Sequence, residues 1–95
     1  MKGYVVCVYK HIYNEGKLKE YAAKARAAVE KYKGSFVIRG GKSNTNEGEK
    51  SPRVVVIEFP SYTEAINFYH SKEYQDAHSI LKGYAERQHL TVQGV

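Results

Sequence analysis

Residues 53–60 read Arg53-Val54-Val55-Val56-Ile57-Glu58-Phe59-Pro60, with Pro52 closing the other side. A β-branched run bounded by prolines spells a short strand. Side chains alternate across a strand, so Val55, Ile57 and Phe59 share one face and Val54, Val56 and Glu58 the other. Apart from Glu58 both faces are apolar, the pattern of a strand covered from both sides. Residues 3–9, Gly-Tyr-Val-Val-Cys-Val-Tyr, repeat it, with Tyr4, Val6 and Val8 set against Val5, Cys7 and Tyr9. Two such strands are two interior strands.

The segments between and around them supply the other elements. Asn14 is a helix N-cap, and Leu18, Tyr21, Ala22, Ala25, Val29 and Tyr32 form one apolar stripe at helical spacing, predicting a helix over residues 15–33 that stops at Gly34. Ser35–Gly41 reads as the next strand, with a bulge or a close approach of ligand expected at Gly40-Gly41. Polar turn-formers fill residues 42–52 and make a hairpin loop. Ser61 and Glu64 have the spacing of a capping box, opening a helix with Ala65, Ile66 and Tyr69 inward. Ser71-Lys72-Glu73 re-caps a second helical piece whose stripe is Tyr74, Ala77, His78 and Leu81. Residues 88–95 close the chain as a strand that alternates strictly, Leu90 and Val92 on one side and His89, Thr91 and Gln93 on the other. A half-covered strand of that kind suits a sheet edge.

The order is βαββαβ in one domain, residues 1–95. Placing the two doubly apolar strands in the centre gives an α+β, ferredoxin-like antiparallel sheet of order 4-1-3-2 with its helices on one face. The opposite face would leave several hundred Å² of apolar surface in water. A second copy of the sheet is the simplest cover, so a homodimer joined face to face, a dimeric α+β barrel, is expected.

Composition narrows the function classes. The net charge is +5, and much of the excess lies at Lys17, Lys19, Lys24, Arg26, Lys31 and Lys33, interspersed with Glu20 and Glu30 as on a solvated helix face. An RNA-recognition motif shares the element order, but it stacks bases on aromatics of its open sheet face, where the third strand here offers Val54, Val56 and Glu58. Nucleic acid is therefore not expected as a partner. No apolar run reaches the roughly 20 residues of a membrane span. The opening Met1-Lys2-Gly3-Tyr4 runs directly into a strand, so no signal peptide is expected, and the single cysteine, Cys7, suits a reducing cytoplasm.

Four segments also resemble a known family, in the correct order and over nearly the whole chain. Lys31–Gly41 resembles its KYGGxFLVRGG segment, Arg53–Ser61 its RVVVLEFPS, Phe68–Gln75 its FYxSxEYQ, and Val92–Val95 its VEGV ending. The family is that catalogued as domain of unknown function 1330, within the dimeric α+β barrel group that includes antibiotic-biosynthesis monooxygenases and muconolactone isomerases. The resemblance implies a homodimer and implies no particular reaction. The sequence departs from the family at Lys82, near where arginine is frequent, and at Gln93, where glutamate is usual.

Candidate chemistry centres on Arg39 and Glu58, which stand on adjacent strands of one hairpin. A pairing register with an odd sum would bring them to the same face, and the apolar pattern leaves that register open. Together they would be either a register-setting ion pair or a carboxylate held beside a guanidinium, able to bind an anionic substrate or move a proton. His78 is a second candidate base, and Tyr69, Tyr74 and His11 are candidate ligand contacts. The four histidines and Cys7 show no metal-ligand spacing. No phosphate loop or nucleophile elbow is present, so no metal or cofactor is expected. Two functions follow: a small-molecule enzyme of the cofactor-independent monooxygenase or isomerase kind, or a non-catalytic ligand-binding or stress-related homodimeric module.

Overall fold

A computed structural model describes all residues, 1–95. The elements run β1 (Gly3–Ile12), α1 (Glu15–Lys31), β2 (Ser35–Arg39), β3 (Val54–Phe59), α2 (Tyr62–His70), α3 (Lys72–Leu81) and β4 (Ala85–Gln93). All pairings are antiparallel, in the order β2-β3-β1-β4. Read from the other edge this is 4-1-3-2, with the two doubly apolar strands in the centre.

Register sets the two faces. Val5 pairs with Ile57 and Cys7 with Val55, which puts Val5, Cys7, Tyr9, Val55, Ile57 and Phe59 on the helix side, where all six are buried. Val6 pairs with Val56 and Val8 with Val54, and these four remain partly exposed on the uncovered face. Leu90 and Val92 lie on that face too, opposite Val6 and Tyr4. The covered side of β4 is thus its polar side. Arg87, His89 and Thr91 point under the helices, because β4 pairs Tyr9 with Arg87, Cys7 with His89 and Val5 with Thr91.

Helix ends follow local chemistry closely. The Asn14 side chain accepts from the Lys17 amide at 3.0 Å, and Ser61 does the same for Glu64 at 3.1 Å. Ser71 ends α2 and caps α3, accepting from the Tyr74 amide at 3.0 Å. Phe68 takes the buried position expected for Ile66 and Tyr69, since it follows Ala65 by three residues; both of the others are only partly buried. The first helix stops at Lys31 rather than residue 33, closed by amides of Lys33 on the Glu30 carbonyl (3.1 Å) and of Gly34 on that of Val29 (2.8 Å). This motif puts Lys33 at φ 64°, the left-handed position that glycine usually fills. Gly34 is needed for a different reason: a Cβ there would lie 2.7 Å from the Phe59 ring.

The bulge in β2 falls between Phe36 and Ile38 and not at the glycine pair. It changes the pairing sum within the hairpin: Ser35 lies opposite Glu58, while Arg39 lies opposite Val55. Arg39 therefore shares the helix side with Val55, and Glu58 stands on the uncovered face. Gly40, at φ 67°, admits the Arg53 side chain instead: a Cβ on Gly40 would lie 2.3 Å from Arg53 Nη1.

Candidate functional site

Between α1 and the sheet lies a narrow cavity of about 30 Å³, with room for little more than a water molecule. Its floor is Val5, Cys7, Tyr9, Val55 and Ile57, and Leu18, Tyr21, Ala22 and Ala25 of α1 form its roof. Three arginines line it, Arg39, Arg53 and Arg87, and no carboxylate does. None of the five ion pairs in the structure involves any of the three.

Arg87 organises the inner end. Its Nη1 donates to the hydroxyls of Tyr9 and Tyr21, both at 3.1 Å, and lies 3.2 Å from Cys7 Sγ. Its Nη2 donates to the Tyr74 hydroxyl at 2.8 Å. The Tyr21 and Tyr74 hydroxyls are 2.9 Å apart and hydrogen-bonded, and the Tyr74 hydroxyl is also 3.3 Å from His89 Nε2. The guanidinium lies 4.9 Å from the centre of the Tyr21 ring and 5.3 Å from that of Tyr9, a cation–π arrangement. Each neighbour is a neutral group. A guanidinium keeps its proton at any physiological pH, so a positive charge sits inside the protein without a counter-ion.

Burial keeps these neighbours neutral, against the pull of Arg87 on the phenols and the thiol and with its help on the imidazoles. Burial pushes the Tyr9 phenol up to about 12, outweighing the pull of Arg87, and raises Tyr74 further. Burial likewise raises the Cys7 thiol. Burial, reinforced by Arg87, depresses His89 to about 3, which makes it a neutral imidazole at pH 7. His78 is lowered by the same two causes, burial first.

The expected site residues distribute unevenly around this centre. Tyr74 is part of it. Arg39 lines the cavity at the β2 side, its guanidinium 4.2 Å from the centre of the Phe36 ring. Tyr69 and His78 line a separate, open cleft of about 430 Å³ between α2, α3 and β4, whose wall is again Arg87 and His89. The Tyr69 and His89 rings lie 5.1 Å apart, and His78 stacks on Tyr74 at 6.1 Å with an interplanar angle of 10°. Glu58 is not brought to Arg39. On the uncovered face it pairs with Lys2 Nζ at 2.8 Å and accepts from the Tyr4 hydroxyl at 3.4 Å, and the Lys2 contact holds its carboxyl below the ordinary carboxylate range. His11 is exposed and stacks on Tyr13 at 5.7 Å, away from the cavity. No group of three or more His, Cys, Asp or Glu side chains is placed to hold a metal ion.

Arg87 and Arg53 are the residues that sequence reasoning passed over. The last strand begins at Ala85, three residues before its expected start, and Arg87 falls in that added stretch. A signal existed: Arg87 and His89 are two residues apart, and hence on one face of an alternating strand.

The architecture is that of a ferredoxin-like α+β protein. The chain belongs to the DUF1330 family, whose model, "Domain of unknown function (DUF1330)", matches residues 2–95. No curated protein matches the sequence. Among solved structures, a protein of unknown function from Rhodopseudomonas palustris superposes with a TM-score of 0.80 at 12% identity, covering 99% of this chain and 82% of its own. A dimeric ferredoxin-like protein of unknown function from Bacteroides fragilis gives 0.63 at 18% identity, covering 98% and 96%. A candidate antibiotic biosynthesis monooxygenase from Caulobacter crescentus gives 0.58 at 11% identity, covering 99% and 89%. At these identities the likeness is one of fold. No helix is long and apolar enough to cross a membrane.

Proposed function

We propose that this protein binds a small anion in the open cleft between α2, α3 and β4, anchored by Arg87, and works as a homodimer joined through its uncovered sheet faces. The observation that carries the reading is the Arg87 guanidinium, hydrogen-bonded to neutral phenols and a thiol and engaged in no ion pair. Taking a charge out of water without a counter-ion costs several kcal/mol, and a bound carboxylate, enolate or phenolate supplies the missing one. Hydrogen bonds to charged groups contribute about 1.5–3 kcal/mol each, enough for selective capture of an anion over a neutral isostere. Tyr74 positions Arg87, and Tyr69 and His78 line the approach to it.

The catalytic form of this reading is isomerase-like: the Arg87 guanidinium stabilises an enolate-like charge while His78 takes a proton from one carbon of the ligand and returns it to another. A second reading, a non-catalytic binding module, is favoured by one feature: the pKa values of Tyr9 and His89, about 12 and about 3, lie far from neutral pH, which suits holding an anion better than moving protons. Calorimetric titration with benzoate and with the neutral benzamide tests the shared element of both. Benzoate is expected to bind, benzamide to bind at least about tenfold more weakly, and Arg87→Met to abolish the preference. Equal binding of the two by the wild-type protein would sink the proposal.

A further inference from the structure

We infer that the anion taken by the open cleft is an aromatic acid, its carboxylate on Arg87 and its ring against the faces of Tyr69 and His78. The inference rests on the reading of Arg87 as an anion anchor and names the body of the ligand. Arg87 keeps donors in reserve for it. Nη1 serves Tyr9, Tyr21 and Cys7, and Nη2 serves Tyr74, while Nε donates to no protein group. Arg53 Nε is the buried side-chain atom without a partner, so the unpartnered Arg87 Nε is one that solvent reaches. Nε and Nη2 share one edge of the guanidinium plane, and such an edge grips a carboxylate with two parallel bonds.

The rest of the cleft is built from rings. Tyr74 is fully buried at their centre, with the ring centroids of Tyr69 at 5.4 Å, His89 at 5.6 Å and His78 at 6.1 Å. Those outer three are only partly buried, and all three line the cleft. His78 lies nearly parallel to Tyr74, so one face of the imidazole meets the core and the other is left for a ligand. Leu81 and Ala85 complete an apolar lining. Lys82 and Glu86, both exposed, cancel in charge, and the imidazoles are neutral at pH 7. The net charge offered to a ligand is thus that of Arg87 alone, which suits a monoanion. A cleft of about 430 Å³ is of the size that takes small organic ligands. Any apolar body gains from burial here, but an aromatic one also gains from ring-on-ring contact, which a saturated ring of the same size lacks.

The probes are benzoate and cyclohexanecarboxylate, which share a charge and nearly a size and differ in the π-system. Calorimetric titration of the wild-type protein at about pH 8, where both imidazoles are neutral, is expected to show benzoate binding about threefold to tenfold more tightly. His78→Leu and Tyr69→Leu each keep an apolar wall and remove a ring. In both, the ratio should fall toward equality while cyclohexanecarboxylate affinity stays within about threefold. Bound benzoate protons should also move upfield in NMR spectra of the wild-type protein, through the ring currents of the cleft. A thermal melt confirms that the variants fold, and if neither does, the wild-type ratio and the ring-current shift decide. Equal binding of the two acids, or no upfield shift, would overturn the aromatic seat and leave the Arg87 anchor standing. If neither acid binds, both readings fall together. A ratio that survives both substitutions overturns the assignment to Tyr69 and His78.

Discussion

Arg87 Nη2 donates to the Tyr74 hydroxyl at 2.8 Å, so an edge strand and the last helix are joined through a charge rather than through aliphatic packing. The consequence is a separation between what folds the protein and what the proposed function needs. Arg87→Met keeps the volume and removes the charge, and exchanging a buried ion for a hydrophobe is often neutral or stabilising. Its melting free energy is expected within about 2 kcal/mol of the wild type, or above it, with benzoate binding lost. Urea titration beside calorimetry checks both halves. A variant that neither folds nor binds would mean that Arg87 is chiefly a structural brace.

Tyr74 should behave in the opposite way. Its hydroxyl receives Arg87, pairs with Tyr21 and approaches His89, while its ring packs 4.7 Å from that of Phe68. Tyr74→Phe keeps the ring and strands part of the guanidinium, which should cost about 1–3 kcal/mol of stability. Chemical denaturation measures this directly, and a loss under about 0.5 kcal/mol would show that water replaces the hydroxyl without penalty.

Much of the fold, and little of this site, was legible in the sequence. The doubly apolar runs at residues 3–9 and 53–60 placed the central strands, and Asn14, Ser61 and Ser71 marked helix starts that the structure repeats. Those signals are local, and each rests on one periodicity or one cap. The site depends instead on register across four strands, which no local pattern specifies when both faces of a strand are apolar. A bulge between Phe36 and Ile38 was enough to send Arg39 and Glu58 to opposite faces. Likewise, the alternation in β4 separated Leu90 from His89 without saying which side the helices cover, and they cover the polar one.

His89 links the site to pH. Its folded-state pKa is depressed to about 3 by burial and by Arg87, against about 6.5 in an unfolded chain. Between those values the unfolded state binds a proton that the folded state refuses, so stability rises with pH across the window and falls as pH drops through 6.5 toward 3. The slope from this one group is at most about 1.4 kcal/mol per pH unit. His89→Gln should flatten the stability profile between about pH 4 and 6.5, measured by urea midpoints at several pH values. An unchanged slope would place the acid sensitivity in other groups.

Lys33 offers a stabilising change remote from the site. It occupies the left-handed position after α1 at φ 64°, where the resembling family segment has glycine. The left-handed region costs a residue with a Cβ about 1–2 kcal/mol, partly offset by the greater freedom of glycine in the unfolded chain. Lys33→Gly is therefore expected to raise stability by about 0.5–1 kcal/mol without altering ligand affinity. A lower melting temperature would indicate that the lysine makes compensating contacts with solvent-side partners.

The uncovered face carries the last prediction. Val6, Val8, Val54, Val56, Leu90 and Val92 form one contiguous apolar surface, with Leu90 38% and Val92 42% exposed. Each aliphatic side chain gains about 1.5–3 kcal/mol when fully buried, so even partial burial of six against a second copy offsets the entropy lost on association. The Lys2–Glu58 pair, beside Tyr4, belongs at the margin of such an interface, where a solvated ion pair sets orientation more than strength. Val56 is central, because Val6 flanks it on one side and Ile38 on the other. Val56→Lys places a charge in the middle of that surface on each copy, and burying two unpaired ammonium groups exceeds what the remaining contacts supply. Sedimentation at about 10 µM, far above the Kd expected of a stable interface, should show a wild-type dimer and a folded Val56→Lys monomer. A monomeric wild-type protein under those conditions would leave the face to a different partner and remove the barrel from the proposal.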